Sequence, residues 1–137
     1  MHRVLLPVDD SESRALAQAD YVSSLPKSAE EVEAIILFVF TDDSEGDVPR
    51  SVTRVSSVRR AREHLEDAGV EVTILEDSLE AVDNIIRNAK EYDVDSIVLG
   101  GRKRSPAGKA LFGSVTQKVI LNTDRPVVVT GEDTSDE

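Results

Sequence analysis

Leu99-Gly100-Gly101-Arg102-Lys103-Arg104-Ser105-Pro106-Ala107-Gly108-Lys109-Ala110-Leu111-Phe112-Gly113-Ser114-Val115 joins an apolar run to a segment with helical spacing. Ile97, Val98 and Leu99 read as the end of a buried strand. The glycines and basic residues read as a loop, and Gly113-Ser114 opens a helix. From Ser96 to Thr123 there is no Asp or Glu, although the chain carries 27 acids against 16 Lys and Arg. Arg102, Lys103, Arg104, Lys109 and Lys118 all fall inside this acid-free window. Free N–H groups at a helix start, flanked by cations and by glycines that admit a ligand to the backbone, suit an oxyanion such as phosphate. Basic loop residues also simply solvate surfaces, so the loop alone leaves both readings open.

Working outward, the same alternation recurs along the whole chain. His2 to Val8 is a strand ended by Pro7, and Ser11 caps a helix with Ala15, Leu16, Ala19 and Val22 on one stripe. Ala34 to Phe40 is an uninterrupted apolar run, as in strands buried on both faces. Thr41 to Pro49 is a loop by composition. A helix follows on Val55, Val58, Ala61 and Leu65, with Gly69 at its end. Its first half is loaded with Arg50, Arg54, Arg59, Arg60 and Arg62, which suits a solvated face or a cationic wall toward an acidic neighbour. Val70 to Leu75 alternates as a third strand. Ser78 can cap a third helix on Val82, Ile85, Ile86 and Ala89, and Arg125 to Thr130 forms a fifth strand.

Five strands alternating with four helices predict a single Rossmann-like, doubly wound α/β domain over residues 1–131, with an acidic, disordered tail over 132–137. Its five-stranded parallel sheet has the order 3-2-1-4-5. Ligands bind such sheets at the carboxyl ends of the strands where the order reverses, here between the first strand and the fourth. Pro7-Val8-Asp9 and Gly100-Gly101 therefore face one crevice.

Composition excludes several classes. With no Cys and only His2 and His64, there is no disulfide, no thiolate chemistry and no expected metal centre. A net charge of -11 disfavours nonspecific binding to nucleic acid and to anionic membrane, and no apolar run is long enough to span a bilayer. The expected location is the cytoplasm. The acids, and Arg used in preference to Lys, suit a salt-saturated interior, where screening leaves only direct contacts to attract a polyphosphate.

The sequence resembles the universal stress protein family over essentially its whole length. The resemblance rests on the opening Val4-Leu5-Leu6-Pro7-Val8-Asp9-Asp10-Ser11-Glu12-Ser13 and on Leu37-Phe38-Val39. It rests also on the late Gly-x2-Gly-x9-Gly-Ser pattern, which Gly100 begins and Gly113-Ser114 ends. The middle glycine of that pattern is replaced by Lys103. The resemblance implies a homodimeric module that binds ATP or another adenine nucleotide, with or without Mg²⁺. It places Asp9 at the nucleoside, on the ribose, and the backbone of Val39 at adenine. Gly100, Gly113, Ser114 and the Val115 amide fall at the phosphates, and the strand order and loop charge add Pro7, Val8, Gly101, Arg102 and Lys103 to the same crevice. No catalytic residue is implied. Val127, Val128 and Val129 would be the edge strand through which two copies pair.

Rival functions are narrower. A phosphoacceptor receiver domain would use Asp9-Asp10 and Asp77, but the lysine it needs after the fifth strand is replaced by Gly131 and acids. A flavodoxin would place phosphate beside two carboxylates and needs aromatics that are scarce here. ATP hydrolysis, with no Gly-x4-Gly-Lys-Ser/Thr, would be slow and would depend on Asp9 or Asp10 holding metal or water. A dimeric adaptor with an empty crevice is the remaining alternative.

Overall fold

The computed structural model describes residues 2–40, 55–75, 79–101 and 114–131. The elements run β1 (His2–Val8), α1 (Glu12–Ser23), α2 (Ser28–Glu31), β2 (Val32–Phe40), α3 (Ser56–Asp67) and β3 (Glu71–Ile74). They continue with β4 (Leu79–Glu80), α4 (Ala81–Glu91), β5 (Ser96–Gly100), α5 (Ser114–Asn122) and β6 (Val127–Thr130). The sheet order is β3-β2-β1-β5-β6, all pairs are parallel, and β4 pairs with the end of β2. This is the expected 3-2-1-4-5 order, with β5 and β6 as the fourth and fifth strands. Two elements are additional to the sequence reading. Among the described residues the single turn α2 makes five helices rather than four, and β4 pairs Leu79 with Val39 and Glu80 with Phe40.

Strict alternation sorts the sheet's side chains into two cores. Val4, Leu6, Val8, Ala34, Ile36, Phe38 and Val98 face α1 and α3, against Ala15, Ala19, Val22, Val58, Ala61 and Leu65. Leu5, Ile35, Leu37, Val39, Ile97 and Leu99 face the other way, against Ile85, Ala89 and Val119 of α4 and α5. Each fully buried Val, Leu or Ile contributes about 1.5–3 kcal/mol. Burial on both faces is why the run from Ala34 to Val39 has no polar interruption.

Helix ends follow the expected chemistry. Ser11 Oγ accepts the Arg14 N–H and caps α1. At the end of α3, Gly69 takes φ 82°, Val70 N–H reaches Leu65 O (3.0 Å) and Gly69 N–H reaches Glu66 O (2.9 Å), a Schellman motif. The same pair of bonds ends α4, from Val94 to Ala89 and from Asp93 to Lys90, but there Asp93 takes the left-handed position at φ 49°. Arg125 braces that turn from the loop before β6. Its Nη1 donates to Asp93 Oδ1 (2.8 Å) and to Val94 O (2.9 Å). Arg3 braces the neighbouring strands, donating to Glu33 and to Tyr92 O, while its backbone N–H donates to Asp95. The amino end of the sheet is thus closed by ion pairs.

The carboxyl end is organised differently. The β1–β5 ladder pairs only Val4 with Ser96 and Leu5 with Ile97. Pro7, having no N–H, cannot continue it. Gln18, on the buried stripe of α1 and 2% exposed, fills the gap: its Nε2 donates to Pro7 O (2.7 Å) and to Val98 O (2.9 Å).

Two consequences can be measured. Gln18→Leu, which leaves two buried carbonyls without a donor, should lower unfolding stability by about 2–4 kcal/mol in urea titration. Separately, the Arg125 guanidinium, by hydrogen bond and charge, holds the Asp93 carboxyl below its ordinary pKa of 3.8. A lowered carboxylate contributes stability that is complete above its unfolded pKa and lost as pH falls through the folded one. Asp93→Asn should therefore melt below the native protein at about pH 7, and the gap should narrow as pH falls from 3.8 through the lower folded pKa.

Candidate functional site

The switch between β1 and β5 brings together the first loop and the end of β5, as the strand order requires. Asp9 follows directly on β1 and is held from three sides. Its Oδ1 accepts the Ser11 N–H (2.9 Å). Its Oδ2 accepts Arg14 Nε (3.1 Å) with Arg14 Nη2 at 3.0 Å, and its carbonyl accepts the hydroxyl of buried Ser57 (2.6 Å). Ser57 lies in the first turn of α3, so α1, α3 and β1 all converge on Asp9. The Asp9 side chain remains 29% exposed. Asp10 is exposed.

On the opposite lip, packing leaves little room beside Gly100 and none beside Gly101. A Cβ on Gly100 would lie 3.2 Å from both Arg14 Cβ and Gln18 Oε1. A Cβ on Gly101 would lie 2.6 Å from the backbone oxygen of Thr130, to which the Gly101 N–H is bonded. Close approach of α1 and of β6 therefore explains both glycines in this structure. Pro7 and Val8 are buried, and Pro7 turns its carbonyl to Gln18. Val39 is buried in the α4/α5 core. The last β1–β2 pair is Val8 with Phe38, so Val39 stands one step beyond β1 at the crevice end of the sheet. Ser114 begins α5, and Val115 is half-buried against the same core.

Arg102, Lys103 and Gly113 lie outside the described residues, as do Arg50, Arg54, Asp77, Ser78 and the 132–137 tail. Arg60 pairs with Glu12 of α1 (3.0 Å), an acidic neighbour for the basic face of α3. Val127, Val128 and Val129 form the outer strand of the sheet and are half-buried, and Leu121 of α5 is 81% exposed. Among the described residues no group of acids and histidines gathers as metal ligands, and no helix is long and apolar enough to cross a membrane.

Sequence reasoning missed Arg14, Gln18 and Ser57. The signals were present: a cation in the first turn of α1, where the helix dipole disfavours it, and a glutamine on an apolar stripe. A groove of about 720 Å³ runs beside α1, lined by Leu16, Ala17, Asp20, Tyr21, Ser24, His64, Thr130 and Gly131. It includes none of the residues that the sequence points to.

Comparison with known proteins gives a match to the universal stress protein family model over residues 1–131. A universal stress protein of Mycolicibacterium smegmatis is 33% identical over 76 residues, covering 55% of this chain and 58% of that protein. The Methanocaldococcus jannaschii universal stress protein MJ0577 is 27% identical over 108 residues, covering 79% and 60%. The chain thus spans about three-fifths of the length of these curated relatives. The solved structure of MJ0577 superposes with a TM-score of 0.71 at 22% identity, covering 97% of each chain. A universal stress protein in complex with cAMP gives 0.67 at 20% identity, covering 96% and 98%. One from Archaeoglobus fulgidus in complex with dAMP gives 0.55 at 21%, covering 95% and 97%. At these identities the structures show a shared fold.

Proposed function

The chain belongs to the universal stress protein family, and from that premise we propose that it binds an adenine nucleotide in the crevice above β1 and β5. It acts there as a cytoplasmic stress-response or signalling module and not as a dedicated catalyst. The observation that carries this reading is the placement of Asp9. A partly exposed carboxylate, fixed by Ser11 and Arg14, stands at the strand-order switch across from Gly100. Relatives of the same fold hold cAMP and dAMP, which supports adenine as the base.

In this reading Asp9 receives a ribose hydroxyl and the backbone at Val39 meets adenine. The segment from Gly100 to Val115, with Arg102, Lys103, Gly113 and Ser114, takes the phosphates of ATP or another adenine nucleotide, with or without Mg²⁺. Lys103 replaces a glycine's room with a cation, and a charge-assisted bond contributes about 1.5–3 kcal/mol. The sequence carries no Gly-x4-Gly-Lys-Ser/Thr, so in this reading any ATP turnover is slow and depends on Asp9 or Asp10 holding a metal or water.

Gly113→Asp puts a carboxylate where phosphate belongs, and a like charge there should weaken ATP binding by about 100-fold or more. Titration calorimetry reads the affinity and circular dichroism verifies that the fold is intact. Retained affinity in a folded variant would place the ligand elsewhere.

The same reading makes the protein a homodimer through β6. Among the described residues β6 is an edge strand with no partner on its outer side, and exposed Leu121 and Ile120 lie on the preceding helix. Light scattering should give twice the chain mass of 15.0 kDa, and a monomeric mass at working concentration would remove the dimer.

A further inference from the structure

We propose that Arg14 is a positioning residue of this crevice, holding the Asp9 carboxylate so that its Oδ1 is presented to a single ribose hydroxyl. The inference rests on the nucleotide reading above and goes beyond it by naming what sets sugar recognition.

The local sequence argues against placing a cation here for helix stability. Arg14 is the third residue of α1, inside the first turn, where free N–H groups repel positive charge. What holds it is tertiary. Nε and Nη2 both converge on Asp9 Oδ2, at 3.1 and 3.0 Å, and the Arg14 side chain is only 20% exposed. Its stem lies along Gly100, where an added Cβ would come within 3.2 Å of Arg14 Cβ and 3.4 Å of Cδ. Arg14 therefore spans the crevice floor from β5 to the first loop. A lysine, a point charge without the planar fork, could not repeat this two-pronged grip.

The acceptor count gives the grip its consequence. An ionised carboxylate offers about four lone-pair sites. Arg14 Nε takes one on Oδ2, with Nη2 crowding the same oxygen at 3.0 Å, and the Ser11 N–H takes one on Oδ1. Oδ2 is thus the oxygen held by the guanidinium and Oδ1 the one with room for a further donor, in a carboxylate oriented by Ser11 and Arg14. Such a group distinguishes a sugar that offers a hydroxyl at that point from one that does not, because the analogue leaves a desolvated acceptor unmatched. Released from Arg14, the carboxylate could rotate about its side-chain bonds and solvate instead, and the preference would vanish.

The test compares AMP, 2′-deoxy-AMP and 3′-deoxy-AMP by titration calorimetry on the full chain. The native protein should bind one of the two deoxy analogues about 10-fold more weakly than AMP. Arg14→Met keeps the stem against Gly100 and removes the guanidinium, and it should bind all three at the level of that weaker analogue. Arg14→Lys keeps the charge without the fork and should also lose the preference. Thermal melts verify that both variants fold. Three results would overturn the assignment: a native preference that survives in Arg14→Met, full preference in Arg14→Lys, or native binding indifferent to both hydroxyls. Native protein that binds no adenine nucleotide at all is a separate result, which overturns the nucleotide reading and this inference with it.

Discussion

Pro7 cannot donate a backbone hydrogen bond, and the carboxyl end of this sheet is built around that deficit. Past Leu5 and Ile97 the β1–β5 ladder stops, leaving Pro7 O and Val98 O facing a gap that only a side chain can fill. The Gln18 carboxamide fills it with the two N–H donors of its single Nε2. An unmatched amide or carbonyl in this interior would cost a sizeable fraction of the stability of a small domain. The clamp therefore fixes α1 over the switch point. Once α1 is fixed, Gly100 must be small, Arg14 must lie along it, and Asp9 comes within reach of Arg14.

The two ends of the sheet thus have different chemistry. At the amino end, Arg3 and Arg125 link Glu33, Asp93 and Asp95 across strands and turns, so charge is spent on closing the structure. At the carboxyl end, the described polar groups converge on one carboxylate and leave part of it accessible. In a chain of net charge -11, pairing Asp9 with a guanidinium also removes a local obstacle to an anionic ligand. Direct contacts of this kind persist in salt that screens the field of the whole molecule.

The glycines of the late loop illustrate how one residue can satisfy two demands. Gly100 and Gly101 stand where a phosphate-binding pattern begins, and in the sequence they read as room for a ligand. In the folded chain the same absence of a side chain eases a tight contact with α1 on one side and is required by the Thr130 backbone on the other. Packing and binding therefore do not compete as explanations there, and a substitution at either glycine would report on both at once. Asp9, structurally engaged but with its side chain still 29% exposed, is the cleaner marker of the crevice.

Element types and their succession were legible because hydrophobic periodicity is a local property: Ala34 to Val39 reads as a strand with two buried faces and the stripes on α1, α3 and α4 as faces packed on a sheet, while the 3-2-1-4-5 order followed from the fold class that this alternation implies. The first-loop aspartate and the glycine pair were legible for the same reason, as punctuation at strand ends. Arg14, Gln18, Ser57 and the β2–β4 pairing were not, because each acts on a partner far along the chain. Gln18 bonds a residue 80 positions away and Ser57 one 48 positions away. Sequence alone determined which segments are apolar on which face. Only the tertiary structure decided which polar groups meet, because a hydrogen bond is set by distance and direction in space, and neither is encoded by the spacing of residues along the chain.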